Sequence, residues 1–227
     1  MRKTKNLREL QIDGVLCISL KDRHDRRELL LNEFKDSGLA IEFVIVEHDK
    51  ENPERGCFDS HIRCAEIALS RGLRSVLILE DDATLRNFQL KQITRINQFI
   101  SEKNPELFYL GATLGKVWLT WHLGVARFRA KGAFAYILSE NGCRKILEYS
   151  PFSGRAIDKI HSKEFKAFGS FPMICEHQPE SLAKSNIFHF RSQDGTAPDA
   201  EFWRKNRKRQ YTQVIKNFGK TLIRKGF

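Results

Sequence analysis

No stretch of this sequence approaches the roughly 18 to 20 consecutive apolar residues that a bilayer-spanning helix needs, so no such span is expected. The basic start, Met1-Arg2-Lys3-Thr4-Lys5-Asn6, is not followed by an uninterrupted apolar segment, and a secretory leader is not expected either. Cysteine is sparse and scattered. The five residues Cys17, Cys57, Cys64, Cys143 and Cys175 are odd in number and contain no CxxC pair. That argues against a disulfide framework and a structural zinc ribbon, and for reduced thiols in a cytoplasmic setting. A GxSxG elbow is absent, which leaves a serine hydrolase without its nucleophile turn. Internal repeats and linkers rich in proline, glycine or serine are also missing, so the chain does not divide on composition.

What is present suits one folded domain. The hydrophobic share is 41% and there are 17 phenylalanines, too much apolar surface for a disordered chain of 227 residues. The net charge of +11 is unevenly spread. Residues 201–227 carry nine Lys or Arg against the single acid Glu201, while the first 200 residues carry 30 basic and 27 acidic side chains. The expected organisation is therefore a domain over 1–200 and a basic tail over 201–227. Within the tail, Val214, Ile215, Phe218, Leu222 and Ile223 recur at spacings of three to four, as in an amphipathic helix at an anionic membrane surface. The alternative is that the helix lays its apolar side on the domain.

Apolar runs at 15–20, 41–46, 75–79, 107–110, 133–138 and 171–175 predict strands. Helical spacing predicts helices over 22–37, 60–70, 88–100 and 139–149, with Ser60 and Ser139 as N-caps and His61 in a first turn. The alternation predicts an α/β fold with a mostly parallel sheet covered by helices. Residues 112–131 show no clear period.

The most informative stretch is Ser-Val-Leu-Ile-Leu-Glu-Asp-Asp-Ala at 75–83, a buried strand that ends in three carboxylates. Adjacent like charges repel, and desolvation adds to the cost, so a divalent cation is one way to relieve Glu80, Asp81 and Asp82. Oxygen ligands suit Mn²⁺ or Mg²⁺, and ligands of open α/β sheets bind at strand carboxyl ends. A solvated acidic turn that begins the next helix is the plain alternative.

These residues also carry a resemblance. Cys17-Ile18-Ser19-Leu20 with Arg26-Arg27, then Gly56-Cys57-Phe58-Asp59-Ser60-His61, then Leu77-Ile78-Leu79-Glu80-Asp81-Asp82-Ala83 resemble glycosyltransferase family 25. Gly132-Ala133-Phe134-Ala135-Tyr136-Ile137-Leu138-Ser139, Asp158 after Pro151, and Gln178 to Ile187 are similar to its later blocks. That family includes lipopolysaccharide and lipooligosaccharide galactosyltransferases. The resemblance implies a GT-A type single domain with a Rossmann-like nucleotide-binding sheet. It also implies a UDP-sugar donor, a saccharide or lipid-linked oligosaccharide acceptor, and transfer of a hexose such as galactose with inversion. Glu80, Asp81 and Asp82 stand in for the metal-binding DxD motif. Ser19, Arg26, Ser60, His61, Gly132 and Gln178 are the expected donor contacts. Asp158 is the expected general base for the acceptor hydroxyl, and His177 or His189 is a candidate further ligand. The resemblance covers about residues 14–190. A nucleic-acid binder, suggested by the basic tail, and a metal-dependent nuclease or hydrolase, suggested by the acidic cluster, are the rival readings. No nucleic-acid-binding motif supports the first, and no nucleic-acid partner is expected.

Overall fold

The computed structural model describes residues 9–86, 89–113, 115–178 and 200–223. The expected block from 179 to 187 and His189 lie outside the described residues.

β1 (Gly14–Leu20), α1 (His24–Phe34), β2 (Ile41–Val46), α2 (Pro53–Ser70) and β3 (Ser75–Glu80) follow the predicted rhythm. β4 (Ala83–Leu85), α3 (Leu90–Lys103), β5 (Leu107–Tyr109), β6 (Gly115–Leu119), β7 (Val125–Ala130) and β8 (Ala135–Ser139) continue the chain. After them come α4 (Glu140–Leu147), α5 (Ile157–Glu164), β9 (Ala167–Ser170), β10 (Cys175–His177), α6 (Ala200–Lys216) and α7 (Phe218–Leu222). Eight strands form one sheet in the order β2-β1-β3-β8-β5-β9-β7-β6, and β10 pairs with β4 beside it. Strands β2, β1, β3, β5, β9 and β6 run one way, and β8 and β7 run against them. The sheet is thus mostly parallel, as the sequence predicts.

The strand period of two explains the two cores. In β3, Val76 and Ile78 enter the core shared with α2, α4 and α5, while Leu77 and Leu79 enter the core shared with α1 and α3. A strand covered on both faces reads as one continuous apolar run, which is why 75–79 is so legible.

Four expectations need correction. The helix expected at Ser60 starts seven residues earlier, at Pro53, with the Asn52 side chain accepting from the Arg55 N–H at 3.0 Å. Asn before Pro is a strong cap and first-turn pair. Gly56 lies inside this helix, where its missing Cβ lets the Asp49 side chain lie against it. Ser60 therefore does not cap; its hydroxyl bonds back to the Gly56 carbonyl at 2.6 Å. Residues 112–131 contain the β6–β7 hairpin, turned at Gly124 with φ +78°. The strand expected at 171–175 is instead two, β9 and β10, separated by Phe171, Pro172, Met173 and Ile174.

The fourth correction concerns the tail. α6 and α7 cover β6, the edge strand, whose outer carbonyls would otherwise lack partners. Asn217 Nδ2 donates to the Val117 carbonyl at 3.3 Å and Thr221 Oγ1 to the Leu119 carbonyl at 3.0 Å. Asn206 Nδ2 and Gln210 Nε2 both donate to the Ala112 carbonyl. Trp203 is 3% exposed, against the rings of Phe134 and His177. The segment from 201 is thus built into the domain and is not a separate appendage. Trp203→Ala should cost about 3–5 kcal/mol in urea unfolding, whereas Ile215→Ser on the outer face should stay within about 0.5 kcal/mol.

Candidate active site

β1, β2 and β3 end at one edge of the sheet, and the amino-terminal half of α2 starts over that edge. Between them lies a cleft of about 110 Å³. Ser19, Arg26, Ser60, His61, Glu80, Asp81 and Asp82 line it, together with Asp49 and Cys57. Seven expected site residues, far apart in sequence, therefore meet in one place.

The three carboxylates do not gather on one point, and the strand period gives the reason. Glu80 shares its parity with Ile78 and points to the α2 side, where its Oε1 stands 3.4 Å from His61 Nε2. Asp81 shares its parity with Leu79 and points to the α1 side, where its Oδ1 accepts from Arg26 Nη1 at 2.8 Å. Asp82 Oδ2 lies 3.4 Å from the same guanidinium nitrogen. Arg26 is 7% exposed, so this is a buried cluster and not a surface pair. Burial works against the Arg26 charge, but the two aspartates outweigh it and raise its pKa. Burial also raises the Asp81 carboxyl above its ordinary 3.8, and Arg26 opposes that rise. A guanidinium thus lies beside two of the three acids.

His177 comes from β10. The antiparallel β4–β10 pair places His177 opposite Ala83, and its Nδ1 lies 3.6 Å from Asp82 Oδ2. Gln178 contributes its backbone N–H, which donates to the Asp82 carbonyl at 2.6 Å. Asp82 Oδ1 is buried without a hydrogen-bond partner. At the outer rim, Lys21 pairs with Glu47 at 2.9 Å and Arg55 with Asp49 at 2.6 Å, so those acids are matched locally. Ser19 is engaged by Arg27, whose Nη1 donates to its hydroxyl at 3.0 Å and to the Leu20 carbonyl at 2.7 Å.

Gly132, Gln178 and Asp158 do not line the cleft. Gly132 lies in the β7–β8 connection at φ +86°, where a Cβ would press on Thr113 at 3.0 Å, so its part here is backbone geometry. Asp158 is half-buried in the first turn of α5. α5 leads into β9, which runs parallel to β5, so Asp158 stands at the same carboxyl edge of the sheet, to one side of the cleft. It is close enough to the buried Tyr109 hydroxyl to help raise its pKa, after burial itself.

Sequence reasoning missed Cys57. Cys17, Cys64, Cys143 and Cys175 are buried, and burial pushes the Cys64 and Cys143 thiols up to about 12. Cys57 is the half-exposed one, and it faces the cleft. The signal was its four-residue spacing from His61, which puts both on one helix face once the helix is known to start at Pro53.

Residues 51–131 match the sequence profile of glycosyltransferase family 25, described as an LPS biosynthesis protein. A glycosyltransferase 25 family member of Drosophila pseudoobscura pseudoobscura is 27% identical over 66% of this chain and 29% of its own length. A Bos taurus protein called probable inactive glycosyltransferase 25 family member 3 is 29% identical over 66% of this chain and 31% of its own. These matches show that the chain is similar to glycosyltransferase family 25 over part of its length. It spans about 30% of the length of those curated relatives. Among solved structures, a Drosophila β-1,4-galactosyltransferase 7 in complex with manganese, UDP-Gal and xylobiose is similar, with 9% identity. That similarity covers 83% of this chain and 78% of the other, at a TM-score of 0.42. A family that contains a member called inactive leaves activity to be argued from the residues of the cleft.

Removing the guanidinium should strand two buried carboxylates. Arg26→Met should cost about 3–5 kcal/mol at neutral pH. A carboxyl raised in the folded state keeps its proton longer than in the unfolded chain, so stability falls as pH rises from about 3.8 through the folded value. Without Arg26 that value rises further, and the deficit of Arg26→Met should therefore shrink towards pH 4. Urea midpoints of both proteins at pH 4 and pH 7 check this.

Proposed function

We propose that this domain transfers a hexose from a UDP-sugar to a saccharide acceptor. The observation that carries the reading is the cleft itself: a polar pocket at the carboxyl ends of β1, β2 and β3, beneath the first turns of α2. Ligands of open α/β sheets bind at that edge. An 18-residue helix that begins there turns its positive end towards a donor diphosphate. Asp82 Oδ1, buried and without a partner, is an acceptor aimed at a ligand hydroxyl or cation. Similarity to glycosyltransferase family 25 supports the reaction class. Galactose as the sugar and the outer core of lipopolysaccharide or lipooligosaccharide as the acceptor follow the resemblance and the description of the matching family.

In this reading the chain's own groups divide the work. Ser60 and the backbone of Gly56 border the donor. A divalent cation, Mn²⁺ or Mg²⁺ in the first expectation, would neutralise charge on the departing nucleotide. Asp82, through its buried Oδ1 without a hydrogen-bond partner, would be a ligand. Asp158, at the acceptor side of the same edge, takes the proton of the attacking hydroxyl; among the described residues it has no ion-pair partner. A panel of UDP-sugars tested with and without EDTA examines the whole reading, and turnover should require the cation. Asp158→Asn should lower kcat by about 10² or more with little change in donor KM. An unchanged kcat with a raised donor KM would move Asp158 from proton transfer to donor binding.

We also propose that the domain works at an anionic membrane, from the cytoplasmic side. None of the described helices is long and apolar enough to cross a membrane. However, Tyr211, Ile215, Phe218 and Leu222 are at least half exposed, at helical spacing, with Arg204, Lys208 and Lys216 nearby. Apolar side chains beside bases suit the interface of a lipid layer that carries the acceptor. Ile215→Glu with Phe218→Glu should reduce partition onto vesicles containing anionic lipid at least 10-fold while leaving the melting temperature unchanged. Partition of the unaltered protein should weaken as salt rises.

A further inference from the structure

We infer that Cys57, His61 and Glu80 form a three-ligand centre for a thiophilic divalent cation of the zinc class. Only its part in catalysis rests on the glycosyl-transfer reading; binding of the ion does not. Cys57 and His61 are four residues apart on α2, and Glu80 ends β3 directly beneath them. One ligand atom from each lies within 4.8 Å of the other two. A tetrahedral ion with bonds of about 2.0–2.3 Å holds its ligand atoms about 3.5 Å apart, so closure needs movements of about 1 Å.

His61 supplies an independent observation. It is 1% exposed, and its Nε2 is buried with no hydrogen-bond partner. Its Nδ1 lies 2.8 Å from the Tyr136 hydroxyl, which is fully buried on β8. That bond occupies Nδ1 and fixes the ring so that Nε2 faces Glu80 at 3.4 Å. A ligating histidine held through its other nitrogen is the arrangement that tunes and orients metal sites. The neutral ring with its proton on Nδ1 presents the Nε2 lone pair to the ion.

The donor set decides the metal class. A thiolate sulfur and an imidazole nitrogen favour Zn²⁺ or Co²⁺, whereas Mg²⁺ and Mn²⁺ favour oxygen ligands alone. Three protein ligands leave a fourth position open towards the cleft, as in zinc sites that act on a substrate. The neighbouring acids do not compete for the ion, because Arg26 already lies between Asp81 and Asp82.

The test uses the whole chain, stripped of metal by a chelator and titrated with Co²⁺. One equivalent should bind and produce a near-ultraviolet thiolate-to-Co²⁺ charge-transfer band, displaced by Zn²⁺ but not by excess Mg²⁺. Cys57→Ser, close in size and at a half-exposed position, should fold normally and lose the band. Tyr136→Phe should keep the band but weaken Co²⁺ binding about 10- to 100-fold. Asp82→Asn should bind Co²⁺ as the unaltered protein does. Absence of bound Co²⁺, a band that survives in Cys57→Ser, or a band lost in Asp82→Asn overturns the inference. The two readings fail separately. A thiolate band without turnover on any UDP-sugar keeps this centre and removes glycosyl transfer. Turnover with Mn²⁺ in a protein that never shows the band does the reverse.

Discussion

The structure around the cleft depends on how three adjacent carboxylates are tolerated at the end of a buried central strand. Three like charges there are unfavourable in themselves and more so when desolvated. The chain resolves this by bringing Arg26 across from α1 to Asp81 and Asp82. A guanidinium suits the task because it stays charged when buried and offers several donors in one plane. The same contact ties α1 to the end of β3 and sets one wall of the cleft. Its second support comes from the far end of the chain. His177 reaches Asp82 from β10, its ring packs 4.1 Å from Phe134, and Trp203 of α6 lies against both. Arg207 adds a link from α6 to β10 through Glu176, which also binds Arg86. The basic carboxyl-terminal helix and the acidic turn are thus mechanically connected, although more than a hundred residues separate them.

The parts of this arrangement that were legible in the sequence are those set by local pattern. The apolar runs of β1, β2 and β3 announce strands buried on both faces, and the abrupt switch to Glu80-Asp81-Asp82 marks the edge where the cleft forms. Ser19 and Arg26, expected at and just beyond the end of the first strand, line the cleft, and Ser60 and His61 line it from within a helix that begins earlier than expected. What stayed illegible is set by contacts between distant segments. The pairing of β4 with β10, three residues each, leaves too short a signal to read, yet it delivers His177 to Asp82. The fate of residues from 201 on turned on whether β6 is an edge strand needing cover, and β6 lay in the stretch without a period. Gly56 has low helix propensity, yet it sits inside α2 because the close approach of Asp49 needs a residue without a side chain.

The layout of the acidic turn has a simple physical cause. Three carboxylates do require neutralisation, but a one-dimensional reading treats neighbours in sequence as neighbours in space. In a strand, successive side chains leave from opposite faces. Glu80 therefore joins the histidine and cysteine of α2, and Asp81 joins the arginine of α1. A motif spelled as one cluster divides between two sides of one cleft, the α2 side and the α1 side.

That separation also divides the roles. A residue that completes a buried ion pair cannot easily leave it for a ligand, because the partner would be stranded at a cost of several kcal/mol. Asp81 is bound in this way and belongs to the framework. Glu80 and His61 both face the cleft, and the histidine is braced from behind by Tyr136 and not by a fixed charge. Asp82 lies between the two conditions, with one oxygen towards Arg26 and His177 and the other buried without a partner. The strand end thus carries a gradient from structural to ligand-facing within three residues. Arg26 balances two of the three charges from within the fold, so binding energy from a donor or cation is available to position the reacting groups.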